Sequence, residues 1–108
     1  MIDFSKILVE EMPEFKGGTG ITRAKKFLTE NIKIMNMSFR PGDSIGLHTH
    51  DTNCEVIYVL SGKARCVLDG VTEIVEVGQV HYCPKGHEHS LACEGDEELQ
   101  VLAIIPEQ

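Results

Sequence analysis

The 108-residue sequence predicts an all-β chain folded as an antiparallel sandwich or barrel, and three observations carry that prediction. From Thr29 onward apolar residues alternate with period two, the spacing that puts one face of a strand in a core. Turn signals recur at short intervals through the same stretch, at Pro41-Gly42-Asp43, Ser61-Gly62, Asp69-Gly70, Val77-Gly78, Pro84-Lys85-Gly86 and Glu94-Gly95-Asp96. The segments between these turns are rich in β-branched residues, which suit a pleated, half-buried surface.

Taken in order, Asp3 to Met12 reads as one short helix, with Asp3 as its cap, Ile7, Leu8 and Glu11 at helical spacing, and Pro13 as its stop. Gly17-Gly18-Thr19-Gly20 is a flexible turn, because Ile21-Thr22 follows where a phosphate loop needs Gly-Lys-Ser/Thr. Ile21 to Leu28 carries alternate apolar residues and a basic edge, as an edge strand does. Beyond it, Met35, Met37 and Phe39 share one face of a strand, and Ile32 and Ile34 share the other. Val56 to Leu60, Val71 to Val77 and Leu99 to Ile105 are further strands, and Asp69-Gly70 is a two-residue hairpin turn. The chain is long enough for one core and too short for two, which divides it into an N-terminal extension over residues 1–28 and a barrel domain over residues 29–108.

Composition removes several classes of partner. With 17 acidic residues against 10 basic ones the formal charge is −7, which disfavours nucleic acid. Arg23, Lys25 and Lys26 form the one basic cluster, and without interleaved aromatics they read as a solvated strand edge. No apolar run approaches the roughly 20 residues that span a bilayer. The stretch around Ile7 to Val9 runs straight into Glu10 and Glu11 and lacks a signal peptide's features, so the expectation is a soluble, cytoplasmic chain with no membrane partner. Cys54, Cys66, Cys83 and Cys93 are widely spaced with no C-x-x-C pair and read as reduced thiols.

The chemistry concentrates between residues 48 and 89, where all five histidines lie. In His48-Thr49-His50 the two imidazoles point to the same side of a strand, an arrangement that can hold one metal ion. Glu55 opens the apolar run Val56-Ile57-Tyr58-Val59-Leu60, and a hairpin would fold it back beside the histidines. A carboxylate there is costly to bury unless it is paired or ligates a cation.

These residues resemble the two-part motif of the cupin superfamily. Its first half, G-x5-H-x-H-x(3,4)-E-x6-G, is met by Gly42, His48, His50, Glu55 and Gly62. The second half, G-x5-P-x-G-x2-H-x3-N, is met by Gly78, Pro84, Gly86 and His89, with Cys93 where the family usually has Asn. The resemblance covers residues 42 to 93 with 15 residues between the two halves. It implies a double-stranded β-helix, or jelly-roll barrel, preceded by the short N-terminal helix or extension. It also implies one divalent transition metal ion held by His48, His50, Glu55 and His89. Such a mixed nitrogen and oxygen donor set suits Mn, Fe, Co, Ni, Cu or Zn better than Ca or Mg.

Around a six-coordinate ion, four protein ligands leave positions open for a small-molecule substrate or ligand. The function expected is therefore a metal-dependent enzyme of the dioxygenase, isomerase or decarboxylase type, with a non-catalytic ligand-binding or sensor cupin as the alternative. Members of the family also pair into homodimers, which makes Ile21 to Leu28 the candidate for exchange between chains. Among the neighbouring residues, Ile57 and Val59 face inward by parity with Glu55, and Tyr58 faces outward. By parity with His48, Gly46 faces inward and leaves space beside the metal. His87 reads as a solvated mouth residue and Cys54, Cys83 and Cys93 as inert packing thiols, whereas His81 either lines the cavity or packs outside it.

Overall fold

Ten antiparallel strands account for most of the chain in a computed structural model that describes residues 1–108. They are β1 (Glu10–Pro13), β2 (Ile21–Leu28), β3 (Ile32–Phe39), β4 (Ser44–Thr49), β5 (Glu55–Ser61), β6 (Ala64–Leu68), β7 (Val71–Val75), β8 (Val80–Cys83), β9 (Glu88–Cys93) and β10 (Leu99–Pro106). A six-stranded sheet in the order β1-β2-β3-β10-β5-β8 faces a four-stranded sheet in the order β4-β9-β6-β7. This is the jelly-roll arrangement the motif resemblance implies, and it falls within the antiparallel sandwich or barrel that the turn spacing predicts.

Alternation fills the space between the sheets. Met35, Met37 and Phe39 from β3, Ile57 and Val59 from β5, Leu91 from β9, and Leu99, Val101 and Ala103 from β10 are all buried, while Ile32 and Ile34 lie on the other face and are only half-buried. Tyr58 points outward and is 40% exposed. The β6–β7 hairpin turns on Asp69 and Gly70, whose φ angles of 48° and 82° are the pair of left-handed conformations that a two-residue turn requires.

Two expectations are corrected. Asp3 to Met12 is not a helix: a single 3-10 turn over Phe4–Lys6, capped by Asp3 through Ser5, gives way to strand β1. Pairing of Glu10 with Ala24 and Met12 with Thr22 buries Met12 against the core, a gain that a lone three-turn helix cannot match. Gly46 does not open space beside the centre either. The β4–β9 register slips between Ile45 and His48, so parity with His48 fails across this bulge. A Cβ on Gly46 would sit 2.1 Å from the Lys16 carbonyl oxygen, because the turn over residues 15–18 packs directly on β4.

The N-terminal strands belong to the six-stranded sheet. The expected edge strand is corrected as well: Ile21–Leu28 lies between β1 and β3 of its own chain, and β1, folded back from the N-terminal segment, takes the edge. Of the basic cluster, Arg23 pairs with Glu11 and Asp43 and Lys26 with Glu10. All four cysteines are free thiols, and no helix is long and apolar enough to cross a membrane.

Candidate metal centre

The two sheets each contribute to one cluster of four side chains. His48, at the end of β4 just past the bulge, lies directly opposite His89 of β9. His50 follows β4, and its backbone is pinned on both sides: its N–H donates to the His87 carbonyl at 3.0 Å, and its carbonyl accepts from Gly86 N–H at 2.7 Å. The Pro84-Lys85-Gly86 turn therefore holds the second half of the motif against the first. Glu55 enters from the other sheet as the first residue of β5.

The donor atoms of these four residues all lie within 4.8 Å of one another, and His50, Glu55 and His89 are buried. His50 Nε2 stands 3.2 Å from His48 Nε2, 3.0 Å from His89 Nε2 and 3.0 Å from Glu55 Oε1, and His89 Nε2 stands 2.9 Å from the same oxygen. With metal–nitrogen bonds of about 2.1 Å, adjacent ligands of an octahedron lie roughly 3.0 Å apart and those of a tetrahedron roughly 3.4 Å apart. Four of the six donor–donor distances fall near the octahedral edge, and those from His48 to His89 and Glu55 are longer.

Hydrogen bonding on the far side of each ring fixes what the near side offers. His48 Nδ1 donates to the Gly46 carbonyl at 2.8 Å. His50 Nδ1 donates to Asn53 Oδ1 at 2.6 Å, and the Asn53 amide is oriented by donating its own Nδ2 to Glu107 Oε1 at 2.9 Å. His89 Nδ1 donates to His81 Nε2 at 3.0 Å, and His81 Nδ1 donates to Glu73 Oε1 at 2.6 Å. A neutral imidazole protonated on Nδ1 carries a bare lone pair on Nε2. Three such lone pairs and one carboxylate oxygen therefore converge, which is favourable only around a cation.

Where no ion is held, a proton on Nε2 takes its place and is shared with Glu55. Burial pushes the Glu55 carboxyl up, but hydrogen bonds from His50 and His89 outweigh it and hold the pKa at about 2, so Glu55 is a carboxylate. The bond to Glu55 raises His50 above the ordinary imidazole value against the opposing effect of burial, whereas burial lowers His48. A proton and a metal ion thus compete for the same lone pairs.

Residues 35–105 match the family profile described as Cupin domain. The chain belongs to the cupin family. Along 94% of its length this cupin is 28% identical to an oxalate-binding protein of Thermotoga maritima, covering 88% of that relative. It is also 29% identical over 75 residues to mannose-1-phosphate guanylyltransferase 2 of Escherichia coli O157:H7, of which it covers 16%. Among solved structures, a predicted oxalate decarboxylase from T. maritima superposes with a TM-score of 0.93 at 26% identity, over 100% of this chain and 99% of that one. The cupin domain of Schizosaccharomyces pombe Cnp3 shares the fold at a TM-score of 0.82 and 12% identity, over 100% of this chain and 74% of that one.

In this cupin all four motif residues come together, and the other candidates sort around them. His81 lies inside the barrel, fully buried, and links Glu73 of β7 to His89. His87 is half-exposed and pairs with Asp69 of the facing turn. Cys83 sits beside Glu55 in register, its thiol pushed up to about 11 chiefly by burial, and Cys93 donates its S–H to the Glu97 carbonyl at 3.1 Å. Sequence reasoning missed Glu73 and Asn53 as orienting groups. Asn53, three residues beyond His50 in a polar turn, carried the better clue.

A cleft of about 390 Å³ opens onto His48, His50 and Glu55, with Met35, Met37, Ile45 and Ile105 as its apolar walls. The volume is in the range of small-ligand sites.

Proposed function

We propose that this cupin is a metal-dependent enzyme acting on a small carboxylate, with one divalent transition metal ion held by His48, His50, Glu55 and His89. The observation that carries the reading is the convergence of three Nε2 lone pairs and the Glu55 carboxylate, each imidazole being fixed from behind by an acceptor. When bound, such an ion supplies Lewis acidity toward a small oxygen-bearing ligand. The side chains do the rest. Glu55 brings negative charge to the ion, Gly46, Asn53 and His81 hold the rings at one rotation, and Met35, Met37 and Ile45 keep water away from the ligand's far side. The oxalate that the T. maritima matches name supports a carboxylate, and the reaction class lies among decarboxylase, dioxygenase and isomerase types.

A second reading, a binding protein without turnover, is favoured by the oxalate-binding relative and by the cleft itself. Outside the centre its only titratable lining groups are Asp51, Lys16, Lys26 and Lys33, and none is an imidazole or a thiol suited to proton shuttling near neutral pH. Metal analysis of untagged protein, then oxygen uptake and carbon dioxide release with oxalate and small keto acids, separates the two. Turnover lost in His48→Ala supports the enzyme, and tight binding without turnover supports the binding protein.

We place the chain in the cytoplasm as a homodimer, with residues 1–28 as an extension of the barrel domain. Free thiols support the compartment. Exposed Tyr58, Leu60, Val80 and Tyr82 on neighbouring strands β5 and β8 support self-association. Native mass spectrometry should then give twice the 12.0 kDa chain mass, and a monomer at micromolar concentration would remove the dimer.

A further inference from the structure

One side of the cleft is basic in a chain whose formal charge is −7. Lys16, Lys26 and Lys33 line it, against a single carboxylate outside the centre, Asp51. Lys33 is the most telling of the three. On β3 it shares the inward-facing parity of Met35 and Met37, at the mouth of the barrel, where alternation calls for an apolar residue. Its partner on β10 is Ile105. Ile104 lies opposite Val56 of β5, which places Glu55 on the other side of Ile105. Lys33, Ile105 and Glu55 therefore form one row across three adjacent strands, and two strand spacings put the outer pair of Cα atoms roughly 10 Å apart.

No carboxylate comes within ion-pair distance of Lys33 or Lys16, whereas Lys26 is held at 3.2 Å by Glu10. Glu107, which also feels Lys33, gives its two oxygens to Thr52 and Asn53. The row thus runs from a free ammonium, over the apolar side chain of Ile105, to the His/Glu centre. Oxalate cannot reach along it, since its two carboxylates are joined by one bond of about 1.5 Å.

We propose that Lys33 is an anion subsite, and that the ligand of this cleft is a linear acid with two anionic ends separated by several methylene groups. One end sits at the centre and the other at Lys33, with the methylenes over Ile105 and Met35. The inference rests on the reading that the centre binds a carboxylate. Each methylene adds roughly 1.3 Å, so acids with two to four methylenes between the carboxyl groups match the row.

The test is calorimetric titration of the metal-loaded protein with oxalate, malonate, succinate, glutarate and adipate, and with butyrate and valerate as single-ended controls. The expected result is tightest binding between succinate and adipate, at least tenfold tighter than valerate, and weakening with salt as a charge contact at an open cleft should. Lys33→Gln, shown to be folded by its melting curve and loaded by metal analysis, should bind glutarate no better than valerate. Tightest binding of oxalate, with a Lys33→Gln profile across the series like that of the wild type, overturns the subsite and leaves the carboxylate reading standing. Failure of every acid, single-ended or double, to bind overturns that reading and the subsite with it.

Discussion

Replacing His81 by Phe removes the acceptor behind His89 while keeping a ring in a fully buried position. The structure sets the size of the effect in two ways. The His89 Nδ1–H, now bonded at 3.0 Å, would be left buried without a partner, a cost of roughly 1–3 kcal/mol. Loss of an orienting partner behind a metal-binding imidazole weakens metal affinity by about 10–100-fold, or about 1.4–2.7 kcal/mol, in agreement with the first figure. Glu73→Ala should cost less, about threefold, because Glu73 is half-exposed and water can take its place at His81 Nδ1. His87→Ala should cost nothing, since that ring pairs with Asp69 away from the centre. Competition against a metal-binding dye with Co(II), on proteins matched for melting behaviour, reads all three. Wild-type affinity in folded His81→Phe would refute the argument that His81 sets the His89 tautomer.

Three further outcomes follow from the same geometry. Glu55→Gln and His50→Ala should lose most of their bound metal on gel filtration, and metal content equal to wild type in either would remove the site. As pH falls, His50, raised above the ordinary value near 6.5, protonates before His48, and metal content should drop by about pH 6. Metal-free protein should show the opposite sign over the neutral range. The raised His50 contributes stability that is complete below about 6.5 and lost as pH rises through its folded value, while the depressed Glu55 contributes stability above about 4.3 that is lost toward about 2. Calorimetric melting with and without chelator checks this, and parallel pH profiles for the two forms would contradict it. Gly46→Ala drives a Cβ into the Lys16 carbonyl, so it should cost at least about 1–3 kcal/mol and lower the melting temperature by about 4–8 °C per kcal/mol.

The parts of this molecule legible in the sequence are those where local chemistry and tertiary structure agree. The alternation in β3 and β5, the Asp69-Gly70 turn and the H-x-H pair each state their own geometry, and the four motif residues meet as the family resemblance implies. Legibility ends where a distant strand decides. Asp3 to Met12 has a cap and helical spacing, but β2 offers it a ladder and a core contact for Met12 that only the folded chain supplies. The bulge after Ile45 inserts a residue without a composition signal, which reverses the parity assigned to Gly46. His81 stood with either face open because its partner, Glu73, lies on a strand of the other sheet, eight residues away in sequence and across the barrel's open seam. Lys33 was hidden by its type, since an inward lysine breaks the binary pattern that marks a core face.

Strands β7 and β8 are each one edge of their sheet, and the His81–Glu73 bond spans them. Glu55 belongs to one sheet and His48 and His89 to the other, so an ion held by them would tie the halves of the barrel together across the 34-residue separation (89 − 55) of Glu55 and His89. A cross-link of that span restricts the open chain much as a disulfide does. Lifetime at high temperature would then be set by the rate at which the ion leaves, so that a chelator shortens the survival of the barrel.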